Sequence, residues 1–266
     1  MKRRHEGLSL ISMAACAMIL CSCSIKEDRG PCPCHLNIFL ENCADYSDML
    51  SVSGWSLDAR RLFLDRVDLG GNTKVHTRKV EKGSLTVSAY CNTGAMTLKG
   101  DRLVIPEGKQ GDRLWAFAGD PVDAEGEYAE EHIFLHKQYA DIHIITDELS
   151  RNAGDMILRA TGNTEGLSIL SLAPDTGKFS CFVTQPEESG WVFTVPRQVD
   201  SSLELEVYLD GVLRKKIPVG KLVENSGYSW KKEDLDDIYM SFSLFSEFSA
   251  QISIAPWDTE KVTLSL

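Results

Sequence analysis

Residues 203–219, LELEVYLDGVLRKKIPV, predict a β-hairpin. In the first half of this stretch apolar side chains occupy every second position, as in a strand with one buried face. These positions are Leu203, Leu205, Val207 and Leu209. The pair Asp210-Gly211 follows, and both residues accept the positive φ angles that a two-residue hairpin turn requires. The second strand is expected from Val212 to Val219.

The same period of two recurs along most of the chain. It is present at residues 36–40, 85–89, 142–144, 156–160, 179–183, 191–195, 252–254 and 262–266. Helical patterns are few: residues 58–67 are compatible with a short helix or an irregular strand, and residues 231–238 with one helical turn. Many short strands spaced about ten residues apart are typical of β-sandwiches. The sequence therefore predicts an all-β protein.

The chain has 266 residues, and the 244 that follow residues 1–22, where a signal peptide is expected, favour two tandem β-sandwiches over one. The stretch from Gly119 to Glu130 is rich in glycine, proline and aspartate, and it provides the best boundary between them. We therefore expect an N-terminal sandwich over residues 35–128 and a C-terminal sandwich over residues 129–266.

Acidic residues outnumber basic ones, 39 to 28, which gives a formal net charge of −11. Broad nucleic-acid binding needs a basic face that displaces counterions from phosphates, so no nucleic-acid partner is expected. The same balance argues against an electrostatic hold on anionic lipid. With 43% hydrophobic and 25% charged residues, the composition is that of an ordinary folded protein.

The N-terminus has the pattern of a bacterial lipoprotein signal. Three basic residues at positions 2–4 precede an apolar run over residues 8–20, which is too short to span a membrane but suits a secretory signal. The run ends in residues 20–23, LCSC, which resemble a lipobox because an apolar residue stands three positions before Cys23 and the small Ser22 directly before it. We expect a signal peptide over residues 1–22, cleavage between Ser22 and Cys23, and a lipid on Cys23. The alternative is an ordinary signal peptide or a short uncleaved anchor.

Residues 23–34 are expected to form a short tether between the lipid and the fold. Within it, Lys26, Glu27 and Asp28 resemble the surface-export signal of lipoproteins in some Gram-negative anaerobes, and a solvated charged tether is the alternative. More than one acyl chain of the palmitate type gives stable anchoring without a basic patch. The expected location is the outer membrane, lipid-anchored and exposed at the cell surface.

Five cysteines follow Cys23 in the sequence. They are Cys32, Cys34, Cys43, Cys91 and Cys181. Disulfides are permitted outside the inner membrane, but an odd number leaves at least one thiol unpaired. We expect one disulfide within the group formed by the first four, and the spacing leaves its pairing open. The Cys32-Pro33-Cys34 run lacks the spacing and the second pair of a zinc site, so no metal and no cofactor are expected.

Motifs for phosphate loops, dinucleotide sites, nucleophile elbows and zinc proteases do not occur in the sequence. His132 and His136 lie four residues apart in a strand-like context, where they are two pleats apart and poorly placed to share a metal. Adjacent acidic pairs diverge on a strand or turn and are expected to be solvated. The five tryptophans are candidates for stacking on sugar rings, although Trp191 and Trp257 lie in strand patterns and fit a core better. We expect no enzymatic activity.

Several segments together resemble a known family, the FimB-like anchor subunits of fimbrillin (type V) pili. They are the lipobox 20–23, the tether 27–33 leading into the strand 36–39, GSLTVSAYCN at 83–92, LHKQYADIHI at 135–144, ISIAPW at 252–257 and the closing strand 262–266. The resemblance extends over nearly the whole chain in order. It departs most at Asp58 to Asp68, a charged stretch where the family has an apolar strand.

The resemblance implies two tandem transthyretin-like β-sandwiches on an outer-membrane lipid anchor, at the base of a pilus whose growth the anchor limits. Stalk subunits of the family lose their lipidated N-terminal strand to an arginine-specific protease, and a partner's strand fills the exposed groove by β-augmentation. An anchor would keep its lipid and its first strand, so residues 36–40 would stay paired and Arg29 would need protection from cleavage.

The implied partners are fimbrillin stalk subunits or accessory pilus subunits. Val262, Leu264 and Leu266 of the C-terminal strand would contact the first stalk subunit, and a plain closing strand of the second sandwich is the alternative. A different function, glycan binding as a surface lipoprotein of a polysaccharide-uptake system, would use exposed tryptophans. A hydrolase with an unrecognised site is a further alternative. A coplanar pair of exposed aromatic rings would favour glycan binding, whereas a buried Trp257 and a poorly paired C-terminal strand would favour the pilus function.

Overall fold

The computed structural model describes residues 32–71, 73–147, 154–183, 190–243, 250–255 and 262–264, the last two ranges by their backbone. The first eleven strands are β1 (Cys34–Leu40), β2 (Met49–Ser56), β3 (Arg61–Asp68), β4 (Val75–Val80), β5 (Ser84–Cys91), β6 (Thr97–Lys99), β7 (Arg102–Val104), β8 (Trp115–Ala118), β9 (Val122–Asp123), β10 (Tyr128–Ile133) and β11 (His136–Lys137). The later elements are β12 (Tyr139–Thr146), β13 (Met156–Ser168), β14 (Pro174–Val183), β15 (Trp191–Pro196), β16 (Glu204–Leu209), β17 (Val212–Ile217), α1 (Val219–Asn225), β18 (Asp237–Phe242), β19 (Ala250–Ala255) and β20 (Val262–Leu264). A 3-10 turn at Cys43–Asp45 follows β1. The expected all-β architecture is confirmed.

The first sandwich consists of a three-stranded sheet and a six-stranded sheet. The strand order is β10-β1-β4 in the smaller sheet and β11-β8-β5-β2-β3 in the larger one, where β9 also pairs with β5. Their inner faces share one apolar core, to which Ile38 of β1, Val52 of β2 and Val87 of β5 contribute fully buried side chains. Gly54 of β2 is required here, because a Cβ atom at this position would lie 2.1 Å from the ring of Phe63 on β3.

The second sandwich has sheets of five and six strands. The strand order is β15-β12-β18-β19-β20 in one and β17-β16-β13-β7-β6 in the other, where β14 also pairs with β13. Strands β16 and β17 form the hairpin that the sequence predicts, and the φ angles of Asp210 and Gly211 in its turn are 52° and 76°. This prediction is confirmed.

Strand pairing and burial connect the two sandwiches. Strand β7 pairs with β13 of the second sandwich, with Leu103 opposite Leu167. Trp55, Tyr90 and Ala116 of the larger first sheet belong to the same buried apolar cluster as the core of the second sandwich. The division into residues 35–128 and 129–266 stays a prediction. Strand β10 begins at this boundary and pairs with β1 of the first sandwich.

Within the charged stretch at residues 58–68, Arg61–Asp68 form strand β3, so the strand alternative is correct there, and residues 58–60 lie in the turn before it. Phe63 and Val67 of β3 are buried in the first core, while Leu62, Leu64 and Arg66 are exposed. Apolar residues four apart lie on the same face of a strand, just as they do on a helix, and the local pattern could not separate the two.

The expected helical turn at residues 231–238 is wrong. These residues form turns followed by the start of β18, and the helix of this region is α1. The guanidinium of Arg197 donates hydrogen bonds to the carbonyl oxygens of Trp230, Lys232 and Glu233. These carbonyls are therefore held by a side chain from another segment and not by a helical ladder.

Candidate assembly surfaces at the first and last strands

Strand β1 is the middle strand of its sheet. It pairs in parallel with β10, from His35 opposite Tyr128 to Leu40 opposite Ile133, and antiparallel with β4 on its other edge. Cys34, Leu36 and Ile38 are fully buried, and they alternate with half-buried residues. Both edges and one face of β1 are thus occupied within the same chain.

Side-chain contacts fasten the chain directly after β1. The Asn42 amide donates to the carbonyl oxygen of Leu135 at 3.1 Å and accepts from its N–H at 2.8 Å. His132 Nδ1 lies 2.8 Å from the carboxylate of Glu41, and its ring stacks on Phe39 with centroids 4.6 Å apart. The end of β1 is therefore tied to β10 by side chains as well as by the sheet.

The sequence around β1 contains few sites for a protease that cuts after basic residues. Arg29 lies before β1, and the next Lys or Arg in the chain is Arg60, beyond β2. The connection from Glu41 to Asp48 contains neither residue type. A protease of this specificity therefore finds no site between β1 and β2.

The last strand lies at the edge of its sheet. Strand β20 pairs antiparallel with β19, placing Val262 opposite Ile254 and Leu264 opposite Ile252, and no second neighbour of β20 occurs within the described ranges. Val262 and Leu264, two of the predicted partner-strand residues, lie in this strand, whereas Leu266 lies outside the described residues. An edge strand presents unpaired backbone groups to which another strand can add.

The predicted anchor residues lie outside the described part of the chain. They are Ser22, Cys23, Lys26, Glu27, Asp28 and Arg29. None of the helices in the described ranges has the length and hydrophobicity of a membrane-spanning segment.

The tryptophans of the described ranges do not form a sugar-binding platform. Trp55, Trp115, Trp191 and Trp230 are each at most 8% exposed, and Trp257 lies outside the described residues. The indole N–H of Trp55, for example, lies within 3.1 Å of the hydroxyls of Ser53 and Ser88. These rings are core residues, as the strand pattern around Trp191 indicates.

The two predicted strand histidines contact different partners. His132 pairs with Glu41, whereas His136 lies 3.2 Å from Asp234 and 3.1 Å from Glu233. Within the described ranges, no three His, Cys, Asp or Glu residues converge in the manner of a metal site.

The expected disulfide is not formed, because all five described cysteines are free. Cys32 is exposed, and the other four are buried core residues. Cys34, Cys43 and Cys91 belong to the first apolar core, and Cys181 belongs to the second. Burial raises the pKa of the Cys43 and Cys91 thiols to about 12, and the nearby Cys91 adds to this effect at Cys43. These cysteines behave as small hydrophobic residues.

Sequence reasoning misses a buried polar cluster that begins at the end of β11. Lys137 is 3% exposed, and its ammonium lies 2.7 Å from the Asp237 carboxylate, which also accepts the N–H of Asp141. Arg197 is also buried, and its guanidinium contacts the Gln138 side chain at 3.1 Å. The sequence around Lys137 and Arg197 does not indicate that these side chains are buried, because their hydrogen-bond partners are about 35 to 100 residues away in the chain.

No protein-family model matches the chain, and no curated protein matches it. Solved structures do match it over most of its length. A candidate polysaccharide-binding protein from Bacteroides thetaiotaomicron has a TM-score of 0.64 at 13% identity, covering 87% of this chain and 98% of its own. The fimbrial anchor protein Mfa2 from Porphyromonas gingivalis has a TM-score of 0.58 at 13% identity, covering 85% and 98%. A candidate adhesin from Bacteroides ovatus has a TM-score of 0.58 at 10% identity, covering 88% and 96%.

At such identities the likeness concerns the fold. The chain therefore has the all-β fold found in the candidate polysaccharide-binding protein, the candidate adhesin and the fimbrial anchor protein, over nearly the full length of each structure.

Proposed function

We propose that this protein is an outer-membrane lipoprotein that anchors a fimbria at the cell surface and limits its growth, contacting the first stalk subunit by β-strand complementation. The observation that carries the proposal is the position of β1, which is paired on both edges and buried on one face. The fold likeness to Mfa2, itself a fimbrial anchor protein, supports the same function.

An anchor must keep its lipid connected to its folded body. A load applied at Cys23 would enter the fold at Cys34, the first residue of β1. This strand can leave only if its hydrogen bonds to β10 and to β4 both break. The lack of Lys and Arg from residue 30 to residue 59 also protects β1 from release by an arginine-specific protease. Cleavage at Arg29 would remove the lipid and leave β1 in place.

The other end of the chain supplies the proposed contact. Strand β20 is a short edge strand with one neighbour, β19, in the described part of its sheet. In the proposed complex, a stalk subunit that has lost its first strand pairs with this C-terminal segment. Main-chain hydrogen bonds provide the affinity, and alternate side chains set the register.

The glycan-binding alternative gains no specific support from the described residues, because the four described tryptophans are buried. We propose that the protein is not an enzyme, because neither anchoring nor strand pairing requires a chemical reaction.

Substitution Cys23→Ser tests the lipid anchor. We expect this variant to leave the outer-membrane fraction and to lose incorporation of a palmitate analogue, because the thiol that receives the lipid is gone. Cys32→Ser is the matched control, since it removes a neighbouring exposed thiol and should leave both measurements unchanged. If the Cys23→Ser protein stays in the membrane fraction, the proposed anchor is wrong.

A further inference from the structure

One end of the first sandwich carries a cleft lined by basic side chains. The cleft has a volume of about 360 Å³ and lies between the start of β3 and the end of β4. Five of its lining residues are basic, Arg60, Arg61, Arg78, Lys79 and Lys82, against one acidic residue, Glu81. We call this group the cationic cleft. Such a concentration is notable in a chain whose formal net charge is −11.

The surroundings of the cleft orient two of its guanidinium groups. Arg61 lies over the ring of Trp55 at 5.8 Å, and Arg78 lies over the ring of Phe63 at 5.5 Å. Arg78 also lies 3.4 Å from the Asp65 carboxylate. Stacked guanidinium groups keep their N–H edges available to phosphate oxygens.

The remaining exposed cations of the cleft are less constrained. Arg60 and Lys79 are exposed, and no ion pair between described residues involves either of them or Arg61. Two acidic residues outside the cleft lie beside its cations. Asp65 pairs with Arg78, and Asp58 lies in the β2–β3 turn, where hydrogen bonds from Ser56 and from the backbone, together with the charge of Arg60, lower its pKa. The cleft therefore keeps a positive excess that an anionic ligand can neutralise.

The cleft lies at the end of the sandwich where the chain enters the fold. Cys34, the first residue of β1, pairs with Val80, the last residue of β4, and Val80 itself lines the cleft. Eleven residues, Cys23 to Pro33, precede Cys34, so even a fully extended tether would reach at most about 40 Å. A lipid on Cys23 would therefore keep this end of the sandwich within about 40 Å of the membrane surface.

The same end also exposes apolar and aromatic side chains. Leu57, in the β2–β3 turn, is 64% exposed, and Tyr128, at the start of β10 opposite His35, is 68% exposed. Tyrosine favours the interface between a membrane and water. Basic residues next to exposed apolar ones are typical of surfaces that lie against a membrane.

We propose that the cationic cleft binds phosphate headgroups of the membrane that holds the lipid, so that this end of the first sandwich lies against the bilayer. The inference rests on the proposed lipid anchor at Cys23, which brings the cleft to the surface. The negative net charge of the whole chain does not oppose it, because charges more than about 8 Å apart are screened at physiological ionic strength.

The test uses the chain from residue 23 onward with Cys23→Ser, so that the lipid contributes nothing to the result. Its binding to phosphatidylcholine vesicles with and without phosphatidylglycerol is measured by co-sedimentation at low salt. We expect binding only to the anionic vesicles. The added substitutions Arg60→Gln and Lys79→Gln should weaken it about thirty-fold, since each basic residue near an anionic surface strengthens binding about five-fold.

The matched control carries Arg214→Gln and Lys221→Gln, which remove two exposed cations from the second sandwich and should leave binding unchanged. Equal binding to both kinds of vesicle, or no loss in the cleft variant, would overturn the inference. Failure to bind vesicles combined with cleft-dependent binding of soluble polygalacturonate would also overturn it, in favour of an acidic glycan. Because the assay chain has no lipid, these outcomes are independent of the fractionation test of Cys23.

Discussion

At the scale of single residues, the alternation of apolar side chains predicts burial correctly at many positions. Leu205 and Val207 of the hairpin are fully buried, and so is Ile38 of β1. The state of the cysteines could not be predicted in the same way, because a thiol in a strand pattern suits a core position and a disulfide equally well. In the structure, the side chains that pack in the two apolar cores include Cys34, Cys43, Cys91 and Cys181.

These buried thiols make stability depend on alkaline pH. Burial raises the pKa of Cys43 and Cys91 from 9.0 to about 12 and that of Cys181 to about 11. The unfolded chain therefore loses these protons near pH 9, while the folded chain keeps them to higher pH. The contribution of these thiols to the free energy of unfolding should be fully present below pH 9. It should fall by about 1.4 kcal/mol per pH unit for each thiol, up to about pH 12 for Cys43 and Cys91 and about pH 11 for Cys181.

Urea unfolding at neutral pH and at about pH 11 measures this loss. Cys43→Ala should make the alkaline decrease shallower, because it removes one of the shifted groups. Cys32→Ala, at an exposed position, should leave the decrease unchanged. An unfolding free energy that stays constant over this range would contradict burial of the thiols.

At the scale of elements, strands whose apolar residues keep the period of two, such as β1 and β16, were predictable, whereas β2 was not. Strand β2 does not show a period of two because both of its faces are buried: Val52 packs in the first core, and Trp55 packs in the second. The pairing of β1 with β10 was not predictable either, since it joins residues more than 90 positions apart, which no local pattern reports. The position of β1 within its sheet, central to the proposed function, therefore needed the structure.

Limited digestion with an arginine-specific protease tests whether β1 stays in place. Under native conditions we expect either no cleavage or cleavage after Arg29 alone. In the second case the folded product should begin at Gly30 and retain β1, because the next basic residue is Arg60. Mass spectrometry of the intact product measures this. A body that begins at Arg61 would contradict the account.

A companion variant shows whether pairing alone retains the strand. Ala44→Arg places a cleavage site in the exposed turn after β1. After cleavage there, the β1 peptide should remain bound through gel filtration and separate only in denaturant. Its loss under native conditions would show that β1 is exchangeable, as in a stalk subunit.

At the scale of the whole molecule, the fold was predictable and the distribution of charge was not. Short alternating strands recur along most of the sequence, and the three solved structures compared above share its fold at 10 to 13% identity. Burial pattern, more than residue identity, thus specifies this architecture. The net charge of −11 gives no indication of the cationic cleft. The basic residues of the cleft come from positions 60–61 and 78–82, and they meet only when β3 of the larger sheet and β4 of the smaller sheet come together in the folded sandwich.

We propose that the membrane-held protein contacts a fimbrial subunit through its C-terminal strand. Purification of the protein from its native outer membrane, with mass spectrometry of the proteins that accompany it, tests this contact. Deletion of residues 260–266 removes β20, so that β19 becomes the edge of the sheet. Leu213→Ser, at an exposed position on the edge strand β17, is the control.

We expect wild type and the Leu213→Ser variant to recover a fimbrillin-like stalk subunit, and the deletion variant to lose it while its thermal unfolding stays cooperative. Equal recovery by the deletion variant would contradict the strand contact. Recovery of porin-type transporters or glycan-processing lipoproteins in place of a stalk subunit would contradict the anchor function itself.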